Sequence, residues 1–152
     1  MRRKKQEVSN PQELKEIFRD AIVCRLAMLD GNVPYVVPLN FGYRDNVLYF
    51  HSAGEGKKLE LLRQNPDVCF EVESGVEIVQ GREACSWGVA FRSIIGYGRA
   101  EFVTDADGKR QALDVIMAHY SDGKFEYSDA NITRTTVIRV EISSMTGKRS
   151  AD

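Results

Sequence analysis

The segment Gly54-Glu55-Gly56-Lys57-Lys58 carries residue types that hold an anion. Glycines let backbone approach a charged oxygen, the first N–H groups of a helix lack intrahelical partners, and the helix dipole is positive at that end. Lys57 and Lys58 add the countercharge. The loop lacks the GxxxxGK[ST] spacing of a triphosphate-binding loop, and a solvated lysine pair on a surface helix has the same spelling. His51 and Ser52 stand just upstream, closing an apolar run. Imidazole is the side chain best matched to proton transfer near neutral pH, although a lone histidine commonly serves only to hydrogen-bond a neighbour. No third residue at a recognisable spacing completes a Ser/His/Asp arrangement, so nucleophilic hydrolysis is not supported. His119, the other histidine, falls beside the apolar stripe of a helix and reads as structural. Trp87, Phe91, Arg92 and Ser93 gather at the entry to a strand. There, aromatic rings with an adjacent Arg suit a planar heterocycle, a subunit contact or plain core packing. The carboxylates form no pair for glycosidase-type work, and two histidines with three dispersed cysteines make no metal set.

These groups need a frame. Asn10-Pro11 with Glu13 reads as cap, first helical position and capping box, ahead of a stripe of Leu14, Ile17, Phe18, Ala21 and Ile22. A β-length apolar run over 22–29 ends in an Asp30-Gly31 turn. From Val33 to Tyr43 every odd position is apolar or aromatic, the period-two signature of a strand. Pro34 and Pro38 place it at an edge, or where backbone meets something other than a neighbouring strand. Arg44-Asp45-Asn46 turns the chain into a returning strand over 47–52, and residues 57–64 read as a short helix stopped by Asn65-Pro66. Residues 68–72 and 76–79 read as a hairpin through Ser74-Gly75, followed by a polar loop (80–88) and a long strand (89–103). Asp105 caps a helix with the stripe Leu113, Ile116, Met117 and Tyr120; a polar loop and a last strand over 136–142 complete the chain. Long strands joined by tight turns, with three helices at the connections, predict an antiparallel barrel, mainly β with helical covers. The head (1–9) and the tail (from 147, with 150–152 at its end) are expected to fray or to be held only by docking.

At 152 residues the chain has the length of one domain, 1–152. Hydrophobic residues at 43% and charged residues at 28% are the balance of an ordinary globular protein. Lys and Arg total 21 against 22 acidic residues, which argues against a generally basic nucleic-acid binder. No apolar run approaches the roughly 20 residues of a membrane-spanning helix. The basic start, Met1-Arg2-Arg3-Lys4-Lys5, has no hydrophobic region behind it and is not read as a secretory signal. Cys24, Cys69 and Cys85, without a CxxC, fit a reduced cytoplasmic location better than a disulfide framework.

Several of these segments resemble one family. Leu48 to Ser52, the loop Gly54 to Lys58 and the helix to Asn65-Pro66 look like the hairpin strand, phosphate loop and helix of the FMN-binding split barrels, typified by pyridoxamine 5'-phosphate oxidase. Residues 34–41 resemble the flavin-lining strand of that family. Ala84-Cys85-Ser86-Trp87, Phe91 to Ala100 and Ile142 to Arg149 are similar to its 5-nitroimidazole-resistance branch, and the likeness runs over residues 12–149. The resemblance implies a six-stranded antiparallel split β-barrel that forms a homodimer with FMN at the subunit interface. By position, Val36, Val37, Pro38, Leu39, Asn40 and Phe41 would line the isoalloxazine, and His51 and Ser52 would flank the ribityl-phosphate. Lys57 and Lys58 would bind the phosphate, Arg92 and Ser93 would come from the partner subunit, and Lys148 would close the site. Val36 and Phe41 stand where the oxidases carry Arg and Lys, and Lys57 replaces an Arg, which loses a bidentate fork. The substrate-phosphate residues of those oxidases are not recognisable near the C-terminus. The expectation is an FMN-dependent oxidoreductase that reduces a small electron-poor molecule such as a nitroimidazole, with His51 as the candidate catalytic proton donor. An FMN carrier or sensor, pyridoxamine 5'-phosphate oxidase-type activity and a cofactor-free interaction module are the alternatives. No metal, nucleic acid or membrane is expected as a partner.

Overall fold

A computed structural model describes residues 4–150 of the chain. Among them the order is β1 (Glu7–Val8), α1 (Pro11–Asp20), β2 (Cys24–Asp30), β3 (Val33–Leu39), β4 (Gly42–Arg44), β5 (Val47–Ser52), α2 (Lys57–Gln64), β6 (Asp67–Val79), β7 (Gly88–Val103), α3 (Ala106–Tyr120), α4 (Asp129–Arg134) and β8 (Thr136–Arg149). The strands pair antiparallel in the order β3-β2-β6-β7-β8-β5-β4, with β1 added to the end of β8. The outermost strands of that order, β3 and β4, are consecutive in the chain and joined by Asn40 and Phe41 alone. Three Cα steps span at most about 11 Å, so the sheet curls until its edges nearly meet. Among the described residues no ladder joins those edges. The barrel is split at that seam.

Alternation along the strands turns Leu26, Met28, Leu48, Phe50, Phe70, Val72, Ile94, Ile138 and Val140 inward, all buried. Helix α1 closes this core with Ile17 and Phe18, and α2 with Leu59, Leu61 and Leu62. Each such side chain contributes about 1.5–3 kcal/mol by leaving water. A second, smaller core packs Ala112, Leu113 and Ile116 of α3 on Val137, with Ile132 of α4. Helix α3 approaches the sheet so closely that a Cβ at Gly42 would lie 2.6 Å from the Val115 carbonyl oxygen. Only glycine fits there.

The six long strands expected are β2, β3 and β5 to β8; the short β1 and β4 are additions. The run from Val33 to Tyr43 breaks at Asn40-Phe41, where the chain crosses the seam. The hairpin expected at Ser74-Gly75 is instead one continuous strand, with the register to β7 shifting between Ser74 and Glu77. Gly75, at φ +62, is absorbed as a bulge because β7 supplies partners on both sides of it. Strand β8 runs past residue 142 to Arg149, since β7 pairs with it as far as Arg92. The loop before it holds α4, capped by Ser128 and too short to show a periodic stripe. Glu13 closes no capping box: the Asn10 side chain accepts from the Gln12 N–H, while Glu13 pairs with Arg149. The described parts of the two ends are docked on the sheet. Val8 is buried, β1 pairs with Lys148 and Gly147, and the Ser150 N–H donates to the Phe91 carbonyl. Residues 1–3 and 151–152, expected to be frayed, lie outside the described residues. Among the described residues no helix is long and apolar enough to cross a membrane.

Candidate functional site

Helix α2 starts without a side-chain cap, unlike α1, α3 and α4, which use Asn10, Asp105 and Ser128. Its cap residue is Gly56 at φ +131, a backbone angle open essentially to glycine, with free space where a Cβ would stand. The Leu59 and Glu60 N–H groups donate to the Gly56 carbonyl, and no side chain caps the Lys57 and Lys58 N–H groups, the arrangement that receives an anion. The three buried leucines of the same helix hold that end against the core. Lys58 is half-buried there, and burial pushes its ammonium below the usual lysine range. An anion beside it would reverse that cost.

His51 and Ser52 end β5, opposite Val137 and Thr136 of β8. The hairpin before them turns on Asp45 (φ 52) and Asn46 (φ 64), a two-residue turn that pairs Arg44 with Val47 and Gly42 with Tyr49. Continuing this register beyond the ladder sets Asn40 opposite His51, and Asn40 Nδ2 lies 3.4 Å from His51 Nε2. With the amide nitrogen assigned toward the ring, Asn40 donates, Nε2 accepts and the ring proton sits on Nδ1. Burial first, and the Lys58 charge second, push His51 below its ordinary value. Both effects favour the neutral imidazole.

Strand β3 is the free edge beside this cluster. Val36, Pro38 and Asn40 are exposed, while Val37 and Leu39 are half-buried against the core. Phe41 differs from the other residues expected to line a flavin. Its ring is fully buried, 4.5 Å from that of His119, and its N–H donates to the Tyr120 hydroxyl. Its side chain belongs to the core. Lys57 is held by a carboxylate of the chain itself, Asp30, and lies over the Tyr35 ring.

Arg92, Ser93 and Lys148 sit elsewhere. Arg92 pairs with Asp20 at 3.0 Å and Glu16 at 3.9 Å, Ser93 is buried opposite Lys148, and Lys148 Nζ lies 5.4 Å from the Phe91 ring. On β8 the partner of His51 is Val137 and the partner of Ser93 is Lys148. Those residues are eleven positions apart, on the order of 35 Å of strand. One chain therefore holds the two groups at opposite ends of β8. Between them the outer face of the sheet carries one apolar row, flanked by the ion pairs Arg25–Glu71 and Arg99–Asp67. Val36, Ala27, Cys69 and Tyr97 form one row across four strands, beside a hollow of about 730 Å³ lined by Leu29 and Pro34.

Sequence reasoning found the lysine loop and His51 but missed Asp30, Tyr35 and Tyr120. It also missed the Asn40–His51 contact, which the two-residue turn fixes by counting outward from Asp45-Asn46.

A curled, unclosed antiparallel barrel with an uncapped helix start at its seam defines the split-barrel class. Residues 10–149 match the pyridoxamine 5'-phosphate oxidase family, and the chain belongs to that family. It is similar to a Bacteroides thetaiotaomicron protein named as a candidate 5-nitroimidazole antibiotic resistance protein. The two are 39% identical over 94% of this chain and 86% of that one, with a TM-score of 0.84. An FAD-binding protein from Mesorhizobium loti is 29% identical over 93% of this chain and 96% of its own, with a TM-score of 0.67. A flavocytochrome from Azotobacter vinelandii, 22% identical, shares the fold at a TM-score of 0.86 over 100% of this chain and 72% of that one. No curated protein matches the chain.

Proposed function

We propose that this protein is an FMN-dependent oxidoreductase that reduces a small electron-poor organic molecule, of which a nitroimidazole is the nearest example. It would act in the cytoplasm as a homodimer with the cofactor between subunits. The observation that carries the reading is the cluster at the start of α2. There an uncapped helix, a half-buried Lys58, and His51 with Ser52 stand beside the exposed edge of β3. The residues fit a flavin mononucleotide. The bare first turn and Lys58 suit a phosphate, and the Val36 and Pro38 edge leaves backbone and apolar surface for a planar ring. Arg92 and Lys148 of a second chain would bring the remaining cations. Family membership and the likeness to the resistance protein support the substrate class.

The flavin, when bound, supplies the reducing electrons. The Lys58 side chain and the Lys57 and Lys58 N–H groups would hold the phosphate. Asn40 orients the His51 imidazole through Nε2. Phosphate charge beside Lys58 would offset the Lys58 part of a shift that burial dominates, and so favour the imidazolium that would donate the proton.

The purified protein is expected to be yellow, or to turn yellow with FMN, to bleach under anaerobic NADPH and to recover its colour on adding a nitroimidazole. Protein that stays colourless after incubation with FMN overturns the reading. Bleaching by NADPH with no recovery on adding any nitro compound would favour a carrier or sensor instead. His51→Gln is expected to lower turnover by roughly 10²–10⁴-fold with FMN still bound. A near wild-type rate would leave His51 a positioning residue.

A further inference from the structure

Asp30 ends β2 at the tip of the β2–β3 hairpin, and its carboxylate pairs with the Lys57 ammonium at the first position of α2. Tyr35 of β3 completes the grip, with Lys57 Nζ 5.1 Å from its ring centroid. The turn itself does not need the carboxylate. Gly31, at φ +61, takes the backbone position that demands glycine, and Asp30 pairs with Val33 across the loop. The side chain of Asp30 is thus free to serve Lys57. Among the described residues no carboxylate is paired with the adjacent Lys58, on which burial alone acts. Two neighbouring lysines at one helix start are in different states: one is neutralised by the chain and one waits for an anion.

We infer that Asp30 is a resident counter-ion that competes with the ligand's phosphate for Lys57, and that loading the site exchanges one anion for the other. This rests on the reading that a phosphate-bearing flavin docks at the start of α2. In the free chain the Asp30–Lys57 pair straps the hairpin tip to α2. On binding, Lys57 turns to the phosphate and the tip is released. The exchange makes the site selective. A phosphorylated ligand displaces Asp30, whereas a neutral flavin has nothing to offer Lys57 and leaves the strap closed. Both partners are about half exposed, with side chains 45% and 51% accessible, so the strap is weak enough to open.

The test uses Asp30→Asn, which keeps the size and turn chemistry of the residue and removes its charge. Dissociation constants for FMN and riboflavin are measured by flavin fluorescence at low salt. The proteins are wild type, Asp30→Asn, Lys57→Ala and the double variant. Asp30→Asn is expected to tighten FMN about two- to fivefold, the scale of an exposed ion pair, and to leave riboflavin unchanged. In the Lys57→Ala background the same change is expected to have no effect, and half-molar salt is expected to erase the gain. Amide exchange at 31–33 is expected to quicken when FMN binds wild type. An FMN affinity that is unchanged or weaker in Asp30→Asn overturns the proposal. So does tightening that survives without Lys57, which would mean repulsion through space. If no variant binds FMN, the flavin reading itself falls, and this inference with it.

Discussion

Lys58 and His51 share an unfavourable arrangement in the free chain. Both sit half-buried and close enough that the ammonium disfavours the imidazolium. A group that folding makes harder to protonate links stability to pH. Because the His51 value is depressed below its ordinary 6.5, the unfolded chain binds the extra proton first. Stability from this residue is therefore full above 6.5 and is lost as the pH falls through the window below it. Thermal melts of the ligand-free protein should show that acid-side loss, and His51→Gln should flatten it. An unchanged slope in the variant would place the linkage elsewhere. Lys58 has a separate signature. A hydrogen bond to a charged group contributes about 1.5–3 kcal/mol, so Lys58→Ala should weaken FMN roughly 10- to 100-fold. Riboflavin, which lacks the phosphate, should scarcely notice. Equal losses for both flavins would show that Lys58 does not hold the phosphate.

At the scale of elements, the end of α3 fastens two others. The Tyr120 hydroxyl accepts the Phe41 N–H and donates to the Ile22 carbonyl, while His119 Nε2 lies 2.7 Å from the Ala21 carbonyl oxygen. Tyr120→Phe would leave the Phe41 N–H without its acceptor and cost about 1–2 kcal/mol, measurable by urea denaturation. Loss of less than half that would mean water replaces the hydroxyl. This fastening was not legible in the sequence, because Tyr120 reads as one more member of an apolar stripe. What was legible had local causes: the apolar run of β2, the period-two run of β3, the returning strand β5, the Asn10 and Asp105 caps, and the Asp30-Gly31 and Asp45-Asn46 turns. What escaped was decided by distant partners. The polar stretch Ser143-Ser144 becomes strand only because β7 lies beside it, and Ser74-Gly75 looks like a turn until β7 pairs across both sides. The site divides the same way. The lysine loop declares itself in five consecutive residues, but Asp30 meets Lys57 only because the sheet curls, a contact no spacing rule anticipates.

For the molecule as a whole, the separation of His51 and Lys58 from Arg92 and Lys148 along β8 gives the proposed dimer a specific consequence. If one cofactor uses both sets, its affinity must depend on protein concentration. The exposed row through Tyr97, itself 58% accessible, is the apolar surface available to a second chain. Tyr97→Asp should yield a monomer by light scattering and lose FMN although Lys58 is untouched; an FMN-saturated monomer would refute the shared site. Strand β7 carries a last implication. Its middle, 92–99, is bonded to β6 on one side and β8 on the other, whereas 88–90 pair with β6 alone. Backbone amides along one strand should then exchange with solvent on two clocks, the middle opening only when the barrel does and the free end opening by itself. Val89 on that end, and Ile78 opposite it and Val76 on β6, are exposed apolar side chains. A single unbroken strand thus spans a boundary between a part of the protein that keeps its shape and a part that breathes.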